Sequence, residues 1–396
     1  MKILVVSSYL PYPLHSGGHV RLYNILKHLS RHHEIILVCE KRSNQSEVDV
    51  QAVGKFCKEI YTYPRKRQWS ISTILKTGFS SYPFLIVGHT NPAMKEKISQ
   101  ILQKEKIDII HVETSYIMQN VPVTSVPIVL VEHNIEYFVY ERFVQKAPVF
   151  LRPLLHIDVK KLKKWEQQFW QRATKLIAVS EEEKQEMKRS DVVVIPNGVD
   201  LEAFPYILPE EKYKQTERNI LFIGNFKWLQ NRDTVRFILK EVWGKIKSES
   251  GILNHELKLW IVGKHIPDSI QQLVLDQTVI FDENASDKTS DIFKNAFILL
   301  TPIRIGGGTS FKIIEAMASG VPVITSTLGA QGLVSHGGKE VIMSNTSEEI
   351  RSSLLDLLRD KKKYKELSQN ARNLVEKQYN WKSITEKLEG VYKSVT

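Results

Sequence analysis

Cysteine is nearly absent from this chain: 396 residues hold only two, Cys39 and Cys57. Two thiols make neither a disulfide framework nor a four-cysteine zinc site; as small buried apolar groups they suit a reducing compartment. No apolar run approaches the roughly 18 residues that a membrane-spanning helix needs. The opening MKILVVSSYLPYP carries one lysine and a short apolar run before polar residues and prolines. It is too short for a secretory signal and reads as a first strand. Internal repeats and low-complexity tracts are missing, as is any recognised nucleic-acid-binding module. Acidic residues are outnumbered, 44 Asp and Glu against 55 Lys and Arg, for a net charge of +11. That excess favours anionic partners without choosing between phosphates and acidic lipid. Hydrophobic residues at 42% and charged residues at 25% are those of a soluble globular protein. The length suggests two domains.

What is present is an alternation of strand and helix signals from the first residue. Short, β-branched, apolar strands are predicted at 2–7, 33–40, 107–113, 126–133, 175–180 and 192–196. Helical patterns lie between most of them, at 18–31, 94–104 and 181–188. Continuous apolar strands are those of a parallel sheet buried on both faces. After a polar, proline-containing stretch at 205–218 the pattern restarts. Strands are expected at 219–224, 257–263, 278–282, 297–302 and 321–326, with an amphipathic helix over 231–247. The fold class is α/β: two doubly wound, Rossmann-like domains in series, over 1–197 and 198–378, with a last helix in 379–396 that crosses back to the first domain. Ligands of open parallel sheets sit at the carboxyl ends of the strands, so residues just after strands carry the functional interest.

Four such stretches stand out. Gly17 and Gly18 close the turn between the first strand and the first helix, where backbone amides can approach a phosphate or an acceptor; their spacing is not a dinucleotide fingerprint, and a tight turn is the alternative. His133 ends an apolar strand at a polar turn, where an imidazole can meet a sugar hydroxyl, a phosphate or a proton. Asn197-Gly198-Val199-Asp200 reads as a turn with Asp200 capping a short helix after it, and as the hinge between domains. The strongest stretch runs from Pro302 to Pro322. A strand enters Gly306-Gly307-Gly308, Thr309 or Ser310 caps a helix, and Lys312 and Glu315 lie one turn apart on it. Triglycine amides and a helix N-terminus make an anion cradle. A lysine in a first helical turn is disfavoured by the helix dipole, a cost that a bound diphosphate would offset. Glu315 can accept both hydroxyls of a ribose.

PNGVD, Gly17-Gly18 and GGGTSFKIIEAMASGVPVITS together resemble family 4 retaining glycosyltransferases of the GT-B fold, over nearly the whole chain. The resemblance implies two Rossmann-like domains facing across a cleft. It implies a nucleoside-diphosphate-sugar donor held mainly by the second domain, acceptor selection by the first, and no catalytic metal or other cofactor. The sequence has no Asp-Xaa-Asp, the metal–diphosphate device of the other major glycosyltransferase fold. His133, Lys312 and Glu315 take the catalytic positions. Donor contacts fall at Gly224, Asn225, Lys227, Gly263, Arg304, Gly306, Gly307, Gly308, Thr309 and Ser310. Glu315 matches the second glutamate of the family's Glu-seven-residues-Glu motif; the first falls at Gly307, so that carboxylate is missing and backbone amides are expected to replace it. Asn225 stands where many members have arginine, leaving Lys227 as the nearest cation.

The acceptor is less defined. Residues 60–95 hold no Asp or Glu but do hold Arg65, Lys66, Arg67, Lys76 and Lys95 among Trp69, Phe79 and Phe84. A helix over 150–175 adds Lys160, Lys161, Lys163 and Lys164 beside Trp165, Phe169 and Trp170. Basic and aromatic residues together suit an anionic membrane surface and a lipid-linked saccharide acceptor; ordinary solvated helix faces are the alternative. The expectation is a cytoplasmic enzyme, peripheral on the inner face of the plasma membrane, serving cell-surface polysaccharide or glycolipid synthesis, with no nucleic-acid partner. A non-catalytic nucleotide-sugar-binding module and a nucleotide-sugar 2-epimerase on the same fold stay open.

Overall fold

The computed structural model describes residues 1–66, 70–246, 256–274, 276–286, 288–305, 310–333 and 338–396. Arg67, Trp69, Lys247 and the cradle residues Gly306, Gly307, Gly308 and Thr309 lie outside the described residues. The chain forms two compact units: Met1–Pro196 with Ile384–Thr396, and Asn197–Ser383.

The first unit is built on a seven-stranded sheet of order β3-β2-β1-β4-β5-β6-β7. Its strands are β1 (Lys2–Ser7), β2 (Glu34–Lys41), β3 (Glu59–Pro64), β4 (Ile109–Glu113), β5 (Ile128–Glu132), β6 (Lys175–Ala178) and β7 (Val193–Val194). Every pairing is parallel. Leu4, Val6, Ile110, Val112 and Leu130 enter one apolar core. The alternating residues Ile3, Val5, Ile109, Val129 and Val131 are buried as well. Burial of both faces is why these strands read as unbroken apolar runs. The Gly17–Leu29 helix buries Leu22, Ile25, Leu26 and Leu29, the stripe expected from their spacing.

The second unit has a six-stranded parallel sheet of order β10-β9-β8-β11-β12-β13. Its strands are β8 (Glu217–Ile223), β9 (Glu256–Val262), β10 (Val279–Asp282), β11 (Ile298–Thr301), β12 (Val323–Thr325) and β13 (Ile342–Met343). Ile220 and Phe222 of β8 enter one core, while Leu221 between them enters the core on the opposite face. The helix expected over 231–247 is α-helical over Leu229–Phe237 and then widens into a π-turn over Ile238–Trp243. Asp200 accepts from the amides of Glu202 and Ala203 at 3.0 and 3.4 Å, a local Asx turn. Residues 379–383 group with this unit: Tyr379 is fully buried in its core, and the Val199 amide donates to the Tyr379 carbonyl at 2.7 Å.

The Phe311–Ala318 helix stops at Gly320, whose φ of +75° lies in the left-handed region. A Cβ there would sit 2.7 Å from the Tyr206 ring and 2.8 Å from the Ile207 carbonyl oxygen. Gly320→Ala is therefore expected to destabilise the second unit by about 2 kcal/mol. The check is its urea unfolding midpoint, and an unchanged midpoint would contradict the strain assigned to this turn.

Candidate functional site

In the first unit, chemistry collects where β4 and β5 end. Glu113 closes β4 in register with Val131 of β5, and His133 follows β5 by one residue. Alternation along β4 sends Ile110 and Val112 to the apolar core and leaves His111 and Glu113 together on the other face. Glu113 is fully buried. Its Oε1 accepts from His111 Nε2 at 2.8 Å, and its Oε2 accepts a short hydrogen bond from His133 Nε2. A carboxylate only accepts, so both imidazoles donate through Nε2. His111 Nδ1 then accepts from the Tyr392 hydroxyl at 2.6 Å, a side chain of the Trp381–Lys393 helix. Tyr392, His111, Glu113 and His133 thus form one hydrogen-bonded chain. Burial alone would raise the Glu113 carboxyl. The His133 and His111 rings, through electrostatic attraction and the hydrogen bonds they donate, outweigh it and hold the group below the usual carboxylate range.

With Nε2 committed to Glu113, His133 presents Nδ1 to the Gly17-Gly18 turn. A Cβ on Gly18 would lie 3.4 Å from that nitrogen and 3.0 Å from the Tyr9 hydroxyl oxygen. The Tyr9 hydroxyl itself donates to the Gly18 carbonyl at 3.2 Å. The helix begins at Gly17, and Ser16 at its N-cap makes no side-chain capping bond. The structure thus brings together two stretches that the sequence singled out separately, the turn at Gly18 and His133. Sequence reasoning missed Glu113, His111 and Tyr392. The available signal was His-Xaa-Glu at the end of a predicted strand, a spacing that puts both side chains on one face.

In the second unit Gly224 and Gly263 follow β8 and β9. A Cβ on Gly263 would fall 1.9 Å from the Gly224 carbonyl oxygen, so the two turns touch only because that side chain is absent. A Cβ on Gly224 would meet Asn231 at 2.7 Å. Asn231 organises this corner: its Nδ2 donates to the Asn225 carbonyl at 2.7 Å, and its Oδ1 accepts from Lys312 Nζ at 3.2 Å. The ammonium also lies 4.7 Å from the centre of the Phe222 ring. Burial pulls Lys312 down to about 8, against the pull of Glu315 in the other direction. Burial pushes Glu315 up to about 7, opposed by Lys312. One turn of helix therefore holds a cation and a carboxyl that both change charge near neutrality.

Other expected donor residues stand differently. Arg304 makes a two-pronged ion pair with Asp233, at 3.1 and 3.0 Å, and lies over the Phe237 ring. Lys227 is exposed, and its amide donates to Asn225 Oδ1 at 3.0 Å. Ser310 occupies the N-cap of the Phe311–Ala318 helix, but its hydroxyl makes no capping bond, so the capping role expected of it is not taken up. Asn231 and Asp233 have no local sequence signal, because both matter through partners from other elements.

Comparison with known proteins extends this picture. Residues 15–203 match the family model described as Glycosyltransferase Family 4, and residues 217–360 match that of the Glycosyl transferases group 1. An uncharacterized 44.6 kDa protein of the cps region of Klebsiella pneumoniae is 22% identical over 397 residues, with 97% of each chain covered. The UDP-Gal:alpha-D-GlcNAc-diphosphoundecaprenol alpha-1,3-galactosyltransferase of Escherichia coli is 23% identical over 329 residues, covering 76% of this chain and 79% of that one. The fold superposes on Anabaena HepE, solved in complex with UDP-glucose, with a TM-score of 0.66 at 15% identity and full coverage of both chains. The two parallel sheets, the strand-end glycines and two family matches that between them take in both units make this chain a glycosyltransferase of family 4 with the GT-B fold.

Proposed function

We propose that the protein transfers a sugar from a nucleoside-diphosphate sugar to a hydroxyl of a lipid-linked saccharide, with the anomeric configuration retained and without a metal ion. The observation that carries this reading is the Lys312–Asn231 corner. A half-buried ammonium, held by a neutral amide and lowered toward neutrality, is a cation waiting for an anion. A diphosphate supplies that anion, and Glu315 one turn along can accept the ribose hydroxyls. The lipid-linked acceptor is supported by the E. coli relative, whose name specifies a diphosphoundecaprenol-linked acceptor.

In the proposed reaction the bond between the anomeric carbon and the diphosphate oxygen breaks, and the acceptor oxygen bonds that carbon from the same face. The acceptor's proton passes to the departing phosphate oxygen. The main barrier is charge growing on the diphosphate, and Lys312 with the helix N-terminus stabilises it as it develops. His133, fixed through Glu113, accepts a hydrogen bond at Nδ1 from a sugar hydroxyl and so positions the sugar. It is given no nucleophilic role.

Lys312→Ala is expected to lower kcat by about a hundredfold with little change in melting temperature; unchanged turnover would remove its role. UDP affinity should fall as pH rises through about 8, because the ammonium that meets the diphosphate is lost above that value. Titration calorimetry across pH would read this, and Lys312→Ala should flatten that limb. Activity should survive EDTA, and a metal-restorable loss would contradict the metal-free scheme. Free UDP with a rearranged sugar and no acceptor would instead identify an epimerase.

The Glu113–His133 hydrogen bond makes a separate prediction. Long-range 15N–1H spectra should show uncharged His133 with its proton on Nε2, and Glu113→Gln should lower kcat by tenfold or more. A proton on Nδ1 would overturn the orientation assigned to this ring.

A further inference from the structure

Over half of the exposed large apolar side chains among the described residues fall in two stretches of the first unit, 74–82 and 139–157. The Ile71–Phe79 helix carries one charge, Lys76, and leaves Leu75 and Phe79 at 55% and 91% exposure. The corner between the Glu136–Lys146 and Arg152–Arg172 helices leaves Phe143, Val149, Phe150, Leu154 and Ile157 between 55% and 81% exposed. Isolated exposed apolar residues are ordinary, but a cluster of this size marks an interaction surface.

These stretches form one face. Leu154, Ile157 and Lys161 lie on one stripe of their helix, at the i, i+3, i+7 spacing. Lys161 Nζ donates to the carbonyls of Thr77 and Ser80 at 2.9 and 2.7 Å, which sets that stripe beside the end of the Ile71–Phe79 helix. Trp165 continues the seam: its Nε1 donates to the Ser81 carbonyl at 2.9 Å and its ring stacks on Tyr82. Arg152 Nε donates to the Ala147 carbonyl at 3.0 Å and closes the corner.

Charge selects the occupant. Between residues 142 and 165 the sole carboxylate is Asp158, and its Oδ1 accepts from the Phe84 amide at 2.9 Å. Lys160 and Lys164, three and seven residues after Ile157, flank that stripe and are exposed, as are Lys76 and Arg142. An apolar first half and a cationic second half on one helix face match a lipid interface, with acyl chains meeting Phe150 and Leu154 and anionic headgroups meeting the lysines. A protein partner would more often be met by a polar rim of both signs. No helix among the described residues is long and apolar enough to cross a membrane, so this contact lies in the interface plane.

We infer that this face, made by the Ile71–Phe79 helix and the corner before the Arg152–Arg172 helix, docks the enzyme on an anionic lipid surface. The inference deepens the proposed lipid-linked acceptor and rests on that reading for its purpose.

The test is co-sedimentation of the full chain with vesicles of phosphatidylcholine, with and without phosphatidylglycerol. Anionic vesicles should bind at least tenfold more tightly, and added salt should weaken that binding. Phe150→Ser with Leu154→Ser should cost tenfold or more on every vesicle, and Lys160→Gln with Lys164→Gln about tenfold on anionic vesicles alone. Both double variants should keep the wild-type melting temperature and UDP affinity. Equal vesicle binding by wild type and variants would overturn the inference. So would a dimer in vesicle-free solution that the Phe150/Leu154 variant dissociates. Turnover on a short-chain soluble acceptor separates the two readings: turnover without vesicle binding rejects the docking face alone, and vesicle binding without turnover on any acceptor rejects the transferase assignment alone.

Discussion

A parallel sheet covered on both faces leaves its strand ends as the places where polar chemistry can meet a ligand, and that constraint governs both units. In the first, Glu113 and His133 stand at or just past the ends of neighbouring strands. In the second, Gly224 and Gly263 do the same, and the absence of side chains lets the turns after β8 and β9 touch. The interiors between are apolar, with Ile3, Leu4, Ile220 and Leu221 among the fully buried residues.

The buried charges show how partners, rather than burial, decide protonation. Glu113 takes two imidazole donors and is held low. Glu132, equally buried at the end of the next strand, has Trp170 Nε1 at 2.8 Å and the Ser115 amide at 3.2 Å, and burial pushes it up to about 7. Two imidazole donors outweigh the desolvation cost at Glu113, whereas an indole and a backbone amide only reduce it at Glu132. The lysines divide in the same way. Lys212 spends its ammonium on the carbonyls of Phe293, Lys294 and Ala296 at 2.9, 2.5 and 2.7 Å, closing the end of the Thr289–Asn295 helix. Among the described residues Lys312 has one hydrogen-bonding partner, Asn231, which leaves charge to offer a ligand.

Much of the fold was legible because two-sided burial writes itself into sequence as continuous apolar runs, and β1 was read to its observed bounds for that reason. β3 was not, because this edge strand is only half-buried and its alternating tyrosines and threonine blend into the basic stretch beyond it. β13 is two residues long and leaves too little pattern. Among the candidate site residues, the placing of Lys312 and Glu315 one turn apart on a helix was legible from their spacing. Asn231, Asp233 and Tyr392 were not, since each acquires meaning from a partner more than seventy residues distant in sequence. Cys57, expected to be buried, is only half so, while Cys39 is fully enclosed.

The hydrogen-bonded chain ending at His133 starts on the Trp381–Lys393 helix, where Tyr392 is the penultimate residue. The His111 imidazole on β4 thus takes its outer brace from a residue 281 positions further along the sequence, in a segment that belongs to the same unit. Removing the Tyr392 hydroxyl leaves every strand of the first sheet in place and takes only that brace from the imidazole. Two segments far apart in sequence are thereby coupled at one strand end through a single phenol.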